Sequence, residues 1–244
     1  MINEHWDAKW KAGRSKYYIS WPDTQMRQLE LDFIRLQLRH LAIANLGPVQ
    51  KLLEIGCGPY TLDEDALLHG LVKNAFEYSG MDNSPAAIAQ AKIDQPSLQF
   101  YKGDVIIDLP MLVQPAYGTI LSRRCLQNIP PERRERLLDQ VLSWSHGILV
   151  ESCEAGLHQL NMVRACFNLA PMPVPEFNYY LNDMEVSNIV SKGAKRVCFS
   201  SGYYLLTRGV ADLKKFNTLS HQHYLQIQDV LKLPDFGPLM GFVW

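Results

Sequence analysis

Apolar positions along this chain follow two rhythms. Short apolar runs of strand length occur at Lys51–Ile55, Tyr78–Asp82, Leu98–Val105, Tyr117–Ser122, Gly147–Glu151, Lys195–Ser200 and Leu239–Trp244. Between them apolar residues recur at helical spacing. Leu29, Leu31, Ile34, Leu36, Leu38 and Leu41 mark a helix from about Thr24 to Ala44. Leu62, Ala66, Leu67, Leu68 and Leu71 mark another from Thr61 to about Val72. Further helices are expected from Pro130-Pro131-Glu132 to about Ser145, over Leu157–Arg164, from Ser201 towards Lys215, and after His223. Boundary signals agree. Asp23 and Ser84 stand where N-caps belong, Pro85 fits a first helical position, and Gly47-Pro48 ends the first long helix. Strands alternating with helices predict an α/β chain around a largely parallel sheet.

The first strand runs into Glu54-Ile55-Gly56-Cys57-Gly58, and a helical pattern follows. A strand, a glycine turn and a helix form a ligand cradle. Glycines let a ligand approach the backbone, and the helix start offers free N–H groups. The phosphate-binding version needs G-x-G-x-x-G or a P-loop lysine, but position 61 is Thr and that lysine is missing. Glu54 would repel a pyrophosphate and suit a cationic ligand. Asp82, followed by Asn83, closes the second strand, where a carboxylate suits the two ribose hydroxyls of an adenosine. Gly103-Asp104-Val105 closes the third. Ligands of open α/β sheets bind beyond the carboxyl ends of the strands. Ser122, Arg123, Gln127 and Asn128, after the fourth strand, are therefore candidates to face the reacting group.

Composition narrows the class. The chain has 244 residues, 47% hydrophobic, enough for one domain with a sizeable core. Its net charge of −1 gives no electrostatic support for binding nucleic acid or a membrane surface. No apolar run approaches the roughly 18 residues of a membrane span, and the first residues lack a basic-then-apolar leader. Five scattered cysteines without C-x-x-C read as reduced thiols in a cytoplasmic protein. The pair His221-x-His223 lacks a spaced partner for a metal, so none is expected.

The motifs Glu54-x-Gly56-x-Gly58, Gly80-x-Asp82-x-Ser84 and Gly103-Asp104 resemble those of class I S-adenosylmethionine (SAM) methyltransferases. The resemblance covers residues 50–150 by motif and extends to 244 by element order. It implies a three-layer, Rossmann-like fold with a seven-stranded, mostly parallel sheet whose last strand is antiparallel. It implies one domain over 1–244: lid and first helix at 1–48, SAM-binding core at 49–152, acceptor-site insertions and final strands at 153–244. The cofactor would be SAM, leaving S-adenosylhomocysteine (SAH). Its expected contacts are Glu54, Gly56, Cys57, Gly58, Asp82, Asn83, Asp104, Val105, Ser122 and Arg123. Residues 1–22, rich in aromatics, read either as a surface helix and loop or as a lid. In the lid reading Arg14 pairs the SAM carboxylate and Tyr17 or Tyr18 closes the pocket.

The second half has a narrower likeness. Glu151-x-x-Glu154-Ala155-Gly156-Leu157-His158, the proline-rich loop to Asn178-x-Tyr180, Ser200-Ser201-Gly202 and His223 resemble a bacterial group of small methyltransferases associated with surface-polysaccharide and sugar biosynthesis. Gly202 departs from that group, which often has Thr there. The likeness implies a sugar or small-molecule hydroxyl acceptor held by Asn161, Arg164, Asn178 and Tyr180. A hydroxyl needs a general base, and histidine suits neutral pH. His158 and His223 are the candidates, with Glu151 or Glu154 behind them. The rivals are a non-catalytic SAM-binding module, an N-methyltransferase of a small metabolite, and an NAD-dependent oxidoreductase. The last is disfavoured by Glu54 and the missing third glycine.

Overall fold

The computed structural model describes residues 2–11, 15–17, 23–44, 50–112, 118–176, 178–210, 219–233 and 236–244. Helix α1 spans Ile2–Lys11 and α2 spans Thr24–Ala44. Then come β1 (Gln50–Ile55), a 3₁₀ turn at Leu62–Glu64, α3 (Ala66–Ala75), β2 (Phe76–Asp82), α4 (Pro85–Asp94), β3 (Gln99–Lys102) and α5 (Val105–Leu112). The second half holds β4 (Thr119–Arg123), a 3₁₀ turn at Leu126–Asn128, α6 (Pro131–Leu142), β5 (His146–Ser152), α7 (Glu154–Cys166), α8 (Asp183–Ser191) and β6 (Lys195–Val197). The short α9 (Ser201–Tyr204) runs into a π turn at Leu205–Gly209, and α10 (His221–Leu231) and β7 (Leu239–Val243) complete the order.

The sheet has seven strands in the order β3-β2-β1-β4-β5-β7-β6. Strands β1 to β5 pair in parallel, and β7 runs antiparallel to both β5 and β6. Alternate residues enter opposite layers, as the two-residue period of a strand requires. Leu52, Ile148 and Val150 face a core shared with α2, α3, α4 and α10. Leu53, Ile55 and Leu149 face one shared with α5, α6 and α8. Burial on both faces explains why the strands read as unbroken apolar runs rather than alternating ones.

Several boundaries differ from the sequence reading, each for a local reason. Helix α3 starts at Ala66 rather than Thr61, because the Asp65 side chain accepts the Leu68 N–H at 2.9 Å and caps it there. Strand β3 stops at Lys102, because Asp104 turns the chain into α5 and its Oδ1 takes the Ile106 N–H at 2.9 Å. Strand β6 is three residues, not six. Helix α8 was not anticipated, although Asn182-x-x-Glu185 is a complete capping box. The departure at Gly202 has a packing reason: a Cβ there would stand 2.4 Å from the Tyr224 carbonyl oxygen, where α9 crosses α10.

Candidate functional site

The site lies beyond the carboxyl ends of β1 to β4. Gly56 and Gly58 both adopt left-handed backbone, φ +65° and +56°. A Cβ on Gly56 would sit 2.6 Å from the Cys125 side chain, so the turn admits nothing larger. Tyr60 and Arg124 also hold positive φ, +59° and +54°. Non-glycine residues cost about 1–3 kcal/mol in such conformations, and packing must enforce them. Two of the chain's uncommon backbone conformations therefore flank this one cleft.

Glu54, Gly56, Cys57, Gly58, Asp82, Asn83, Asp104, Val105 and Arg123 line a single cavity. The Asp82 carboxylate ties the glycine turn to the next loop. One oxygen takes the Gly58 N–H at 2.9 Å, the other the Ser84 N–H at 2.8 Å. Burial pushes its pKa up, against those backbone donors. Glu54 is buried, accepts the Tyr78 hydroxyl at 2.6 Å and lies 4.0 Å from Arg123 Nε. Burial raises its pKa to about 6, while Arg123 and the Tyr78 bond pull it down.

A buried charge cluster completes the floor. Glu30 of α2 pairs with Arg123 at 2.9 Å and with Arg124 at 3.1 Å. Arg123 also donates to Thr61 Oγ1 at 2.6 Å, fastening the end of β4 to the segment after the glycine turn. Its Nη1 is buried without a hydrogen-bond partner. Sequence reasoning missed Glu30. The signal was present, since Glu30 falls on the same helical stripe as the buried Met26, Phe33 and Ile34.

The roof is α1. Trp6 and Trp10, stacked with centroids 6.5 Å apart, line the cavity, and Trp10 lies 3.4 Å from where a Gly58 Cβ would be. Asp7 fixes this helix over the cleft by accepting the Ser84 hydroxyl at 3.0 Å and the Ala86 N–H at 3.1 Å. Tyr17 does not close the pocket; its hydroxyl donates to Asp63 at 3.2 Å. Arg14 and Tyr18 lie outside the described residues.

Gln127 and Asn128 line the cavity too, but the remaining candidates are not gathered here. Ser122 points to Glu151, away from the cavity lining. Glu151 is fully buried, where it accepts the Ser122 hydroxyl and the Leu126 and Gln127 N–H groups, both at 3.2 Å. Burial lifts its pKa to about 7 despite those donors. It clamps the turn after β4 and has no open face to an acceptor. His158 is exposed on α7. His223 is exposed too, with its Nδ1 receiving the Ser220 N–H at 3.2 Å as the cap of α10. Asn161 Oδ1 accepts the Met172 N–H at 2.8 Å, and Arg164 donates to the Ala170 carbonyl at 2.7 Å and to that of Arg208. Both brace the proline-rich loop. Asn178 accepts from Gln127, and Tyr180 is buried. None of the chain's seven histidines, all in the described residues, lines the cavity. Among the described residues no cluster of His, Cys, Asp and Glu is placed to hold a metal, and no helix is long and apolar enough to cross a membrane.

No family model matches the sequence. No curated protein matches it significantly. Solved structures do match in shape. The plantazolicin methyltransferase BpumL, in complex with a triazolic desmethyl-plantazolicin analogue and SAH, shares 16% identity over 99% of this chain and 96% of its own, with TM-score 0.53. Magnesium protoporphyrin IX methyltransferase from Synechocystis PCC 6803, with bound SAH, shares 15% over 80% and 84%, TM-score 0.52. A SAM-dependent methyltransferase from Archaeoglobus fulgidus shares 18% over 87% and 92%, TM-score 0.50. The chain has the class I methyltransferase fold: a mostly parallel seven-stranded sheet between helical layers, its last strand antiparallel.

Proposed function

We propose that this chain is a SAM-dependent methyltransferase with a small-molecule acceptor. The observation that carries the reading is the convergence of three separate strand ends, Glu54 to Gly58, Asp82-Asn83 and Asp104-Val105, on one roofed cavity. The fit is physical as well as topological. The glycine turn leaves backbone bare where a side chain would collide with Cys125, and Arg123 Nη1 is a buried donor in want of an acceptor.

Gly56, Cys57 and Gly58, with Glu54 and Arg123, would hold the amino-acid end of SAM. Asp82 and Asn83 would hold the ribose, and Asp104 and Val105 the adenine. Bound SAM supplies a methyl group on a sulfonium, so the chain's own task is orientation and exclusion of water. Trp6 and Trp10 cover the cleft for that purpose. The narrower expectation, a sugar hydroxyl in polysaccharide biosynthesis, rests on the likeness of the second half alone. A hydroxyl acceptor calls for a base within hydrogen-bond reach, and His158 and His223 both stand outside the cavity.

Calorimetric titration with SAH and with NADH tests the reading. SAH is expected to bind and NADH not to. Asp82→Ala should weaken SAH at least about tenfold, the loss of a hydrogen bond to a charged group being worth roughly 1.5–3 kcal/mol. No SAH binding, or preference for NADH, overturns the proposal.

A further inference from the structure

The cavity is segregated by charge. Its carboxylates, Glu54, Asp82 and Asp104, come from the β1–β3 side, and its guanidinium groups, Arg123, Arg124 and Arg133, from the end of β4 through the start of α6. Arg123 and Arg124 share Glu30. Arg133 is different. It is exposed at the cavity rim, in the first turn of α6, and pairs with no carboxylate among the described residues. Its helix turn is anchored by the next residue. The neighbouring Arg134 is completely buried and donates to the Leu126, Ile129 and Tyr179 carbonyls at 2.9, 3.0 and 2.6 Å, while pairing with Glu185 at 2.6 Å. The Arg133 guanidinium offers a fork that matches a carboxylate in two parallel bonds.

Among the described residues, no carboxylate or histidine lines the arginine half of the cavity, and the carboxylates facing it are already engaged. Asp82 and Asp104 take backbone N–H groups and Glu54 takes the Tyr78 hydroxyl. Cys125 is held as the thiol by burial. A hydroxyl or ammonium acceptor has to lose a proton during transfer, to a group on the far half of the cavity. A carboxylate has none to lose.

Building on the SAM-dependent reading above, we propose that the acceptor is a carboxylic acid, anchored as its anion by Arg133, and that the product is its methyl ester. The balance is complete. A carboxylate oxygen lone pair forms the new C–O bond, the methyl carbon–sulfur bond breaks with its electrons staying on sulfur, and the sulfonium becomes the neutral thioether of SAH. No proton is released and no co-reactant is needed.

The test uses the full chain saturated with SAH, and matched acid and amide fragments on common scaffolds: benzoate with benzamide, phenylacetate with phenylacetamide, and indole-3-acetate with its amide. Binding is followed by ligand-observed NMR. Acids are expected to bind at least tenfold better than amides on one or more scaffolds. Arg133→Gln should erase that preference and Arg133→Lys should restore part of it, with SAH affinity within twofold throughout. Equal binding of acids and amides, or a preference that survives Arg133→Gln, overturns the inference. In parallel, methyl-labelled SAM is incubated with the enzyme and a small-molecule extract of the cells that make it. Label transferred to product should leave as methanol in mild alkali, as an ester does. Label that resists alkali overturns the inference while leaving the methyltransferase reading intact; failure of SAH itself to bind defeats that reading instead.

Discussion

Glu151 receives three hydrogen bonds in a place water does not reach, and it still resists ionising. Its folded pKa of about 7 lies above the ordinary 4.5. The folded state therefore binds more protons than the unfolded state between those values, and stability falls as pH rises through that window. The stabilisation is fully present below about pH 4.5 and gone above about 7, on the order of 3 kcal/mol at most. Glu54, raised to about 6 by burial, acts in the same direction. Thermal unfolding from pH 5 to pH 8 should show the wild type losing several degrees relative to Glu151→Gln, whose amide cannot titrate. Parallel pH profiles would refute this account. The variant should keep SAH affinity within a few fold, since Glu151 is not part of the cavity. Such residues show where sequence reading stops. Gly56, Asp82 and Asp104 were legible because strand ends and turn chemistry are local. Glu151, one strand over at the end of β5, looked like another rim carboxylate; only the turn after β4 folding back onto it reveals a clamp. His158 and His223 failed for a related reason. Helical spacing places residues on a shared face without saying what that face meets.

Among the elements, α1 is the one that covers the cleft. Its Asp7 side chain meets the start of α4 at Ser84 and Ala86. The Asp7 pKa is lowered first by Lys11 and then by the Ala86 N–H, so this attachment persists above the carboxylate range and is lost on acidification. Asp7→Ala should raise hydrogen exchange in Ile2–Lys11 several-fold and quicken SAH release, with little change in exchange elsewhere. Unchanged exchange would mean that Trp6 and Trp10 alone hold the helix down. The roof could be read from aromatics in a segment with few core positions, but its attachment could not. Asp7 carries no cap signature for its own helix, because it caps a helix far along the chain. Helix α8 is the reverse case, a capping box fully written in the sequence and passed over in a proline-rich neighbourhood.

For the whole molecule, Arg134 is the tie between the sheet and the segments that follow it. It joins α6, the turn after β4, the strand-like stretch at Tyr179–Tyr180 and the Glu185 carboxylate of α8. Removing one partner of a buried pair leaves the other charge uncompensated, at about 3–5 kcal/mol. Arg134→Met should therefore lower the melting temperature by about 10 °C for a chain of this size, measured by thermal unfolding. A loss of only a degree or two would show the network to be incidental. Fold class was legible at this scale, since alternating strand and helix runs leave few topologies.

The strand order carries one more consequence, for the birth of the protein. Strand β7 is made after β6 yet lies between β6 and β5. A nascent chain leaving the ribosome can therefore dock β1 to β5 as they emerge, but β6 has no neighbour to join. It must wait beside an unfilled slot until Leu239–Val243 slides in antiparallel and receives a partner on each flank. The sheet closes in its interior, so β7, made after both of its neighbours, acts as a keystone.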